Sequence, residues 1–300
     1  MTVTASRSFR SVSAGGLDFD SPPMRLWEKA KRMGIWNPQD VDFSTDRQHW
    51  LALDDGQQDL LLRLASLFEA GEESVTLDLL PLIQVVAAEG RLEEEMYLTS
   101  FLWEEAKHVE AFRRFFDKVA QEKRDLSHFH GTSYRRIFCQ ELPEALGALR
   151  HDASPAAQAR ASVTYNMIVE GVLAETGYHV YHAVLRDNGI LPGMQEVVAH
   201  LKADESRHLA YGVFLLSRLV AEHGDEVWQT IEERMNELLE PAIGVIQEVF
   251  DAYDPAHVPF GLELDPFIEF AMGQFQKRMD RIERSRSQSL EEVLRIAAAD

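Results

Sequence analysis

Apolar residues recur at three- and four-residue steps over 57–80, 86–122, 156–187, 194–223 and 225–251, the period of helices that bury one face. Strand-type alternation is nearly absent, so the pattern predicts an all-α protein. Turn signals separate the runs: Pro143, "HDASPAAQ" (151–158), "RDNGILPG" (186–193) and "YDPAHVPFGLELDP" (253–266). Asn188-Gly189 followed by Pro192 marks the clearest helix stop, and Ser154 before Pro155 reads as an N-cap with a first-turn proline. Residues 1–23 are Ser/Gly/Thr-rich and end in Pro22-Pro23, which predicts a mobile or loosely docked arm. No composition shift cuts the remainder, so 24–300 is expected to form one domain.

Four of these helices share an oddity on the face that should be core. In "LLLRLASLFEAGEESVTLDLL" the seam runs Leu61, Ala65, Phe68, Glu72, Val75, Leu79, so Glu72 points where Phe68 and Val75 point. The second seam is Leu98, Phe101, Glu105, His108, Phe112 and Phe115. The third is Val163, Met167, Glu170, Ala174 and Gly177, and the fourth is Val198, Leu201, Glu205, His208, Gly212 and Leu215. Six polar residues therefore lie on four apolar seams, and four of them are carboxylates. Other acids (Glu73, Glu93, Glu94, Glu95, Glu104, Glu110) are expected on a solvated face or in contact with the seam residues from outside. His179 and His182 read as ordinary helix histidines, and Trp27, Trp36, Trp50, Phe101 and Trp103 read as core.

Composition narrows the function. Thirty Lys and Arg stand against 50 Asp and Glu, a formal charge of −20, which argues against nucleic acid or an anionic membrane surface as partner. The one cysteine, Cys139, excludes an internal disulfide and a Cys-rich zinc site. No apolar stretch has the length of a signal peptide or a membrane span, and a cytoplasmic setting is expected.

Burying a carboxylate costs several kcal/mol even after relaxation, roughly, and four facing one another cost far more unless a strong positive charge lies among them. No Lys or Arg falls on the seams. Two divalent metals would supply that charge. Glu-x-x-His places both donors on one side of a helix, and oxygen donors mixed with imidazole suit iron or manganese better than soft metals. One Glu on each of two helices, with Glu-x-x-His on the other two, is the general donor set of dinuclear carboxylate bundles. It is matched here, in chain order Glu72, Glu105-x-x-His108, Glu170, Glu205-x-x-His208.

With these residues in place, the stretch 57–220 resembles the ribonucleotide reductase small-subunit-like superfamily, and within it the ligand-binding oxidases. The resemblance implies a ferritin-like four-helix bundle with additional helices, usually a homodimer. It implies a manganese and an iron side by side, with di-iron as the alternative, reacting with O2 in a two-electron oxidation. Glu72, Glu105 and His108 would hold the first metal, as manganese, and Glu170, Glu205 and His208 the second, as iron. Glu105 and Glu205 would be the carboxylates able to bridge. It further implies an ether crosslink between the Val75 Cβ and the Tyr165 oxygen. It also implies a long-chain fatty acid or similar hydrophobic molecule with its carboxylate at the metals. The electron donor is not indicated.

Three rivals bear on the same residues. A radical-generating reductase subunit commonly has a tyrosine where this chain has Phe112, and needs another in a C-terminal tail; the last tyrosine here is Tyr253, and "RSQSLEEVLRIAAAD" has none. A di-iron fatty-acyl desaturase or hydroxylase shares the paired motif. A ferritin-like store or a purely structural bundle is the non-enzymatic reading, and 300 residues exceed the short cage-forming plan.

Overall fold

The computed structural model describes the backbone of residues 9–296, with side chains through 294. Its helices are α1 (Pro22–Met33), α2 (Ser44–Ala52), α3 (Asp55–Asp78), α4 (Leu80–Ala88) and α5 (Leu92–Phe115). Then follow α6 (Thr132–Arg136), α7 (Leu142–Ala148), α8 (Pro155–Ser162) and α9 (Glu175–Tyr181), with a π-helical stretch Val163–Ala174 between the last two. The chain continues through α10 (Pro192–His223), α11 (Asp225–Phe250), α12 (Leu264–Glu283) and α13 (Leu290–Ile296). No strand occurs among the described residues.

The four helices singled out by their seams form the centre. α3 packs on α5, and α10 packs on both α5 and the π-helical stretch, while α11 and α12 close over that stretch from outside. α1 lies against α5 and α10. This is a ferritin-like bundle with added helices: all-α as the pattern predicted, and of the architecture the resemblance implied.

Local chemistry fixes where these helices begin. Asp54 accepts from the Gln57 backbone N–H at 2.8 Å while the Gln57 side chain accepts from the Asp54 N–H, a reciprocal cap that starts α3. α10 is capped from a distance: the buried Asp46 carboxylate of α2 accepts from the N–H groups of Gly193 and Met194, each at 2.8 Å. Packing burial then holds them. Leu61, Ala65, Leu98, Phe101, Leu201 and Leu215 are fully buried, and each such side chain contributes about 1.5–3 kcal/mol if large.

Three expectations are corrected. The run 86–122 is two helices, because Gly90 (φ +73°) ends α4 and α5 starts two residues later. The run 156–187 is wound in part as a π-helix, which apolar spacing does not reveal. Trp103 is not core; it is 49% exposed. As for the arm, residues 1–8 lie outside the described residues. Beyond them, Arg10 pairs with Glu93 at 2.9 Å and the Asp18 N–H donates to the same carboxylate, and helix begins at Pro22.

Candidate metal centre

The six seam residues converge. Glu72 comes from α3, Glu105 and His108 from α5, Glu170 from the π-helical stretch, and Glu205 and His208 from α10; none is more than 6% exposed. Donor atoms of Glu72, Glu105, His108 and Glu205 lie within 4.8 Å of one another, and those of Glu105, Glu170 and His208 do likewise. Glu105 belongs to both groups. Its two oxygens lie 3.4 Å from His108 Nδ1 and 3.1 Å from His208 Nδ1, and the Glu205 oxygens lie 3.6 Å from each imidazole.

These separations are close, but they are not hydrogen bonds. His108 Nδ1, His208 Nδ1, Glu105 Oε2, Glu170 Oε1 and Glu205 Oε2 are buried without a hydrogen-bond partner. Leaving one such group unsatisfied costs about 1–3 kcal/mol, and here five point into one space between four helices. A pair of cations there would satisfy them all, so the residues fit a dinuclear metal site.

The far side of each imidazole is held by a carboxylate from the other motif. His108 Nε2 lies 3.3 Å from Asp204 Oδ2, and His208 Nε2 lies 3.0 Å from Glu104 Oε2. Such partners fix the ring and raise its basicity toward a metal on the opposite nitrogen. Asp204 also accepts from Trp36 Nε1 at 2.8 Å and Lys107 Nζ at 3.3 Å, and Arg207 bridges Glu104 and Asp204. Phe101 stacks on His208 with centroids 3.6 Å apart.

The π-helical winding has a local consequence. Tyr165 and Glu170 are five residues apart and would diverge on an α-helix, but i→i+5 bonding brings such residues to one side. Tyr165, fully buried, donates its O–H to Glu105 Oε1 at 3.1 Å, and Asn166 donates to Glu170 Oε2 at 3.0 Å. Gly212 makes room for this stretch: a Cβ there would sit 2.3 Å from the Asn166 Cβ. Val75, one turn past Glu72, lines a cavity that reaches the carboxylates of Glu72, Glu105, Glu170 and Glu205. Its other walls are mostly apolar, among them Leu64, Phe68, Leu173, Ile246 and Phe250.

The family model for the ribonucleotide reductase small chain matches residues 19–280. The fold is similar to a solved R2-like ligand-binding oxidase from Sulfolobus acidocaldarius, at 38% identity and TM-score 0.87 over 96% of this chain and 98% of that one. It is equally similar to two solved variants of an R2-like ligand-binding oxidase, one with tyrosine changed to phenylalanine and one with valine changed to leucine. Both have an aerobically reconstituted Mn/Fe cofactor and match at 38% identity and TM-score 0.87 over 93% of this chain and 100% of theirs. The chain belongs to the R2-like branch of the ribonucleotide reductase small-chain family.

In this R2-like chain, the protonation of the metal-free cluster follows from burial and crowding. Burial pushes Glu72, Glu170 and Glu205 above the ordinary carboxylate value, and neighbouring carboxylates add to the rise. Burial also opposes the charge of Glu105, His108 and His208. Glu105 is nonetheless held low by the two imidazoles, and the imidazoles are held high by the surrounding carboxylates. Asp204 is likewise depressed: burial opposes its charge, and His108, Lys107 and Trp36 outweigh it.

Sequence reasoning missed Asp204 and placed Glu104 only among acids of undecided position; it is fully buried. The signal was there. Both motifs read acid-Glu-x-base-His, as Glu104-Glu105-Ala106-Lys107-His108 and Asp204-Glu205-Ser206-Arg207-His208, and the longer repeat carries the outer partners as well as the donors. His179 stacks on Phe270, as an ordinary helix histidine does.

Proposed function

We propose that this R2-like protein is an O2-activating oxidase with a manganese–iron pair, which oxidises a C–H bond by two electrons. What supports this reading most is the set of five unpartnered donor atoms facing one space that opens on an apolar cavity. Glu72, Glu105 and His108 would hold manganese, and Glu170, Glu205 and His208 iron, with Glu105 and Glu205 shared. Bound metals of this kind supply O2 reduction and the oxidising equivalents that follow.

The protein's own residues do the rest. Asp204 and Glu104 fix the imidazoles, and the apolar walls keep water from the reacting atoms. Glu105, which accepts from the Tyr165 hydroxyl, is placed to receive the phenolic proton. Joining Val75 Cβ to the Tyr165 oxygen breaks one C–H and one O–H bond. That releases two electrons and two protons towards O2; bound metals would supply the other two electrons, and solvent the other two protons, needed to reach two waters.

The cavity's apolar walls, with four carboxylates at one part of its lining, support a long-chain fatty acid or similar molecule, whose carboxylate would complete the metals' coordination. Pairing of two copies and residence in the cytoplasm belong to the same proposal, as does a single domain over 24–300. The reductase reading is not favoured, since Tyr253 is bonded to Asp59 at 2.7 Å rather than carried on a tail.

Aerobic loading with Mn(II) and Fe(II), followed by metal analysis and peptide mass spectrometry, tests these points. One of each metal per chain is expected, with the peptides around 75 and 165 joined and lighter by two hydrogens. Two irons at every Mn:Fe ratio would overturn the mixed pair. An unaltered Val75 peptide from fully loaded protein would remove the crosslink.

A further inference from the structure

On the outer side of the second Glu-x-x-His motif, a groove of about 530 Å³ runs between α10 and α12 and under α13. Lys202, Lys277, Arg278, Arg281 and Arg284 line it, with Glu175 as the one carboxylate among its lining residues. A concentration of five cations is unexpected on a chain whose formal charge is −20. Lys202, Lys277 and Arg284 make no ion pair among the described residues.

Arg278 is the more telling member. Its side chain is buried, only 7% exposed, and it donates a hydrogen bond to the neutral Gln274 amide oxygen at 2.6 Å. A buried guanidinium is ordinarily paired with an anion; this one has no ion pair among the described residues. Burial pushes it below its ordinary value, and Glu175 only partly offsets that. The floor between the cations is apolar, formed by Leu209, Val213, Phe214 and Val293.

We propose that this groove is a binding site for an anionic amphiphile, a phosphate ester whose head sits among Arg278, Lys202, Lys277 and Arg284 and whose apolar part lies along Leu209, Val213 and Phe214. A phosphate is favoured over a carboxylate because a dianion meets four cations, two of them planar guanidinium forks. The site does not depend on the metal reading. It does adjoin it: Leu209 follows His208, and Gly171 follows Glu170. A Cβ on Gly171 would lie 3.2 Å from Leu209 and 3.3 Å from Arg278 Nε. An occupant of the groove therefore rests against the helix that presents the second imidazole, with Arg278 and Leu209 between it and the stretch that carries Glu170.

Titration calorimetry of the full chain with dodecyl phosphate, dodecanoate and inorganic pyrophosphate tests the proposal. Dodecyl phosphate should bind one per chain and should weaken by about tenfold or more in Lys277→Glu/Arg284→Glu, and by about threefold in Lys202→Ala on the opposite wall. These three side chains are exposed, so an unchanged Tm is expected alongside. Affinity within about twofold of the unaltered protein in the charge-reversed variant would put the ligand in the central cavity and overturn the site. Dodecanoate binding the groove as tightly would overturn the phosphate head. Pyrophosphate matching dodecyl phosphate would overturn the apolar half and make a free phosphate the occupant. No heat with any of the three at ~1 mM would overturn the site altogether.

Discussion

The two halves of the buried cluster carry the same motif in different surroundings. On the first, His108 meets Glu72 from an ordinary α-helix, and its outer partner Asp204 is tied to the indole of Trp36 and the ammonium of Lys107. On the second, His208 meets Glu170 from a π-helical stretch, lies under Phe101, and has an outer partner, Glu104, whose one cation is the Arg207 it shares with Asp204. Donor identity is thus repeated while charge, polarity and backbone winding are not. Two chemically similar sets of ligands, held this differently, give two inequivalent positions. That inequivalence is what a pair of unlike metals requires.

The sharpest way to break the comparison is to remove the residue both halves share. Glu105→Ala should abolish loading of both positions, read as metal content per chain, because its oxygens face both imidazoles. Retention of one full equivalent would show that the halves are independent.

Removing the metals instead should reverse the response to pH. Without them, Glu72, Glu170, Glu205, His108 and His208 are raised in the folded state, so the native protein binds more protons than the unfolded chain at neutral pH. Their stabilisation is present at low pH and lost as pH rises above the ordinary carboxylate and imidazole values; Glu105, which is lowered, opposes this more weakly. The Tm of metal-free protein should therefore fall from about pH 5 to pH 8, whereas loaded protein should gain stability over the same range as ligand deprotonation favours the metals. Parallel curves would contradict the assignment.

A smaller effect separates the halves. Asp204→Asn should weaken the metal at His108 by about 10- to 100-fold while Glu104→Gln does so at His208, measured by competition with a chelator. Equal losses at both positions from either change would show that the outer acids do not discriminate. Smallest is a packing change confined to the second half. Gly212→Ala, with its Cβ directed at Asn166, should cost about 1–3 kcal/mol in denaturant unfolding, and should disturb the Glu170 position before the Glu72 one.

Much of this arrangement could be read from residue order. The seams of α3, α5 and α10 are regular enough to assign Glu72, Glu105, His108, Glu205 and His208 to one face each, and the structure gathers them. Glu170 was placed by the same rule although its helix obeys another; four-residue and three-residue steps happened to land on the right side of a stretch buried all round. The winding itself was illegible, since nothing in "VTYNMIVEGVLA" distinguishes five-residue from four-residue bonding when Val163 through Val172 are all buried. The inward turn of Asp204 and Glu104 was hidden for a different reason. Adjacent acids look like a solvated edge until the opposite helix is in place to receive them. Trp103 shows the converse error, an aromatic taken for core that stands at the surface over Lys107.

The exchange of outer carboxylates has a bearing on assembly. Each imidazole is held by the helix that presents its counterpart, so the two rings can be oriented only when α5 and α10 are in a single alignment. A slip of one residue in either helix would turn Asp204 and Glu104 aside together and leave both rings free to rotate. The crossed pair thus ties the registration of α5 and α10 to the orientation of both rings.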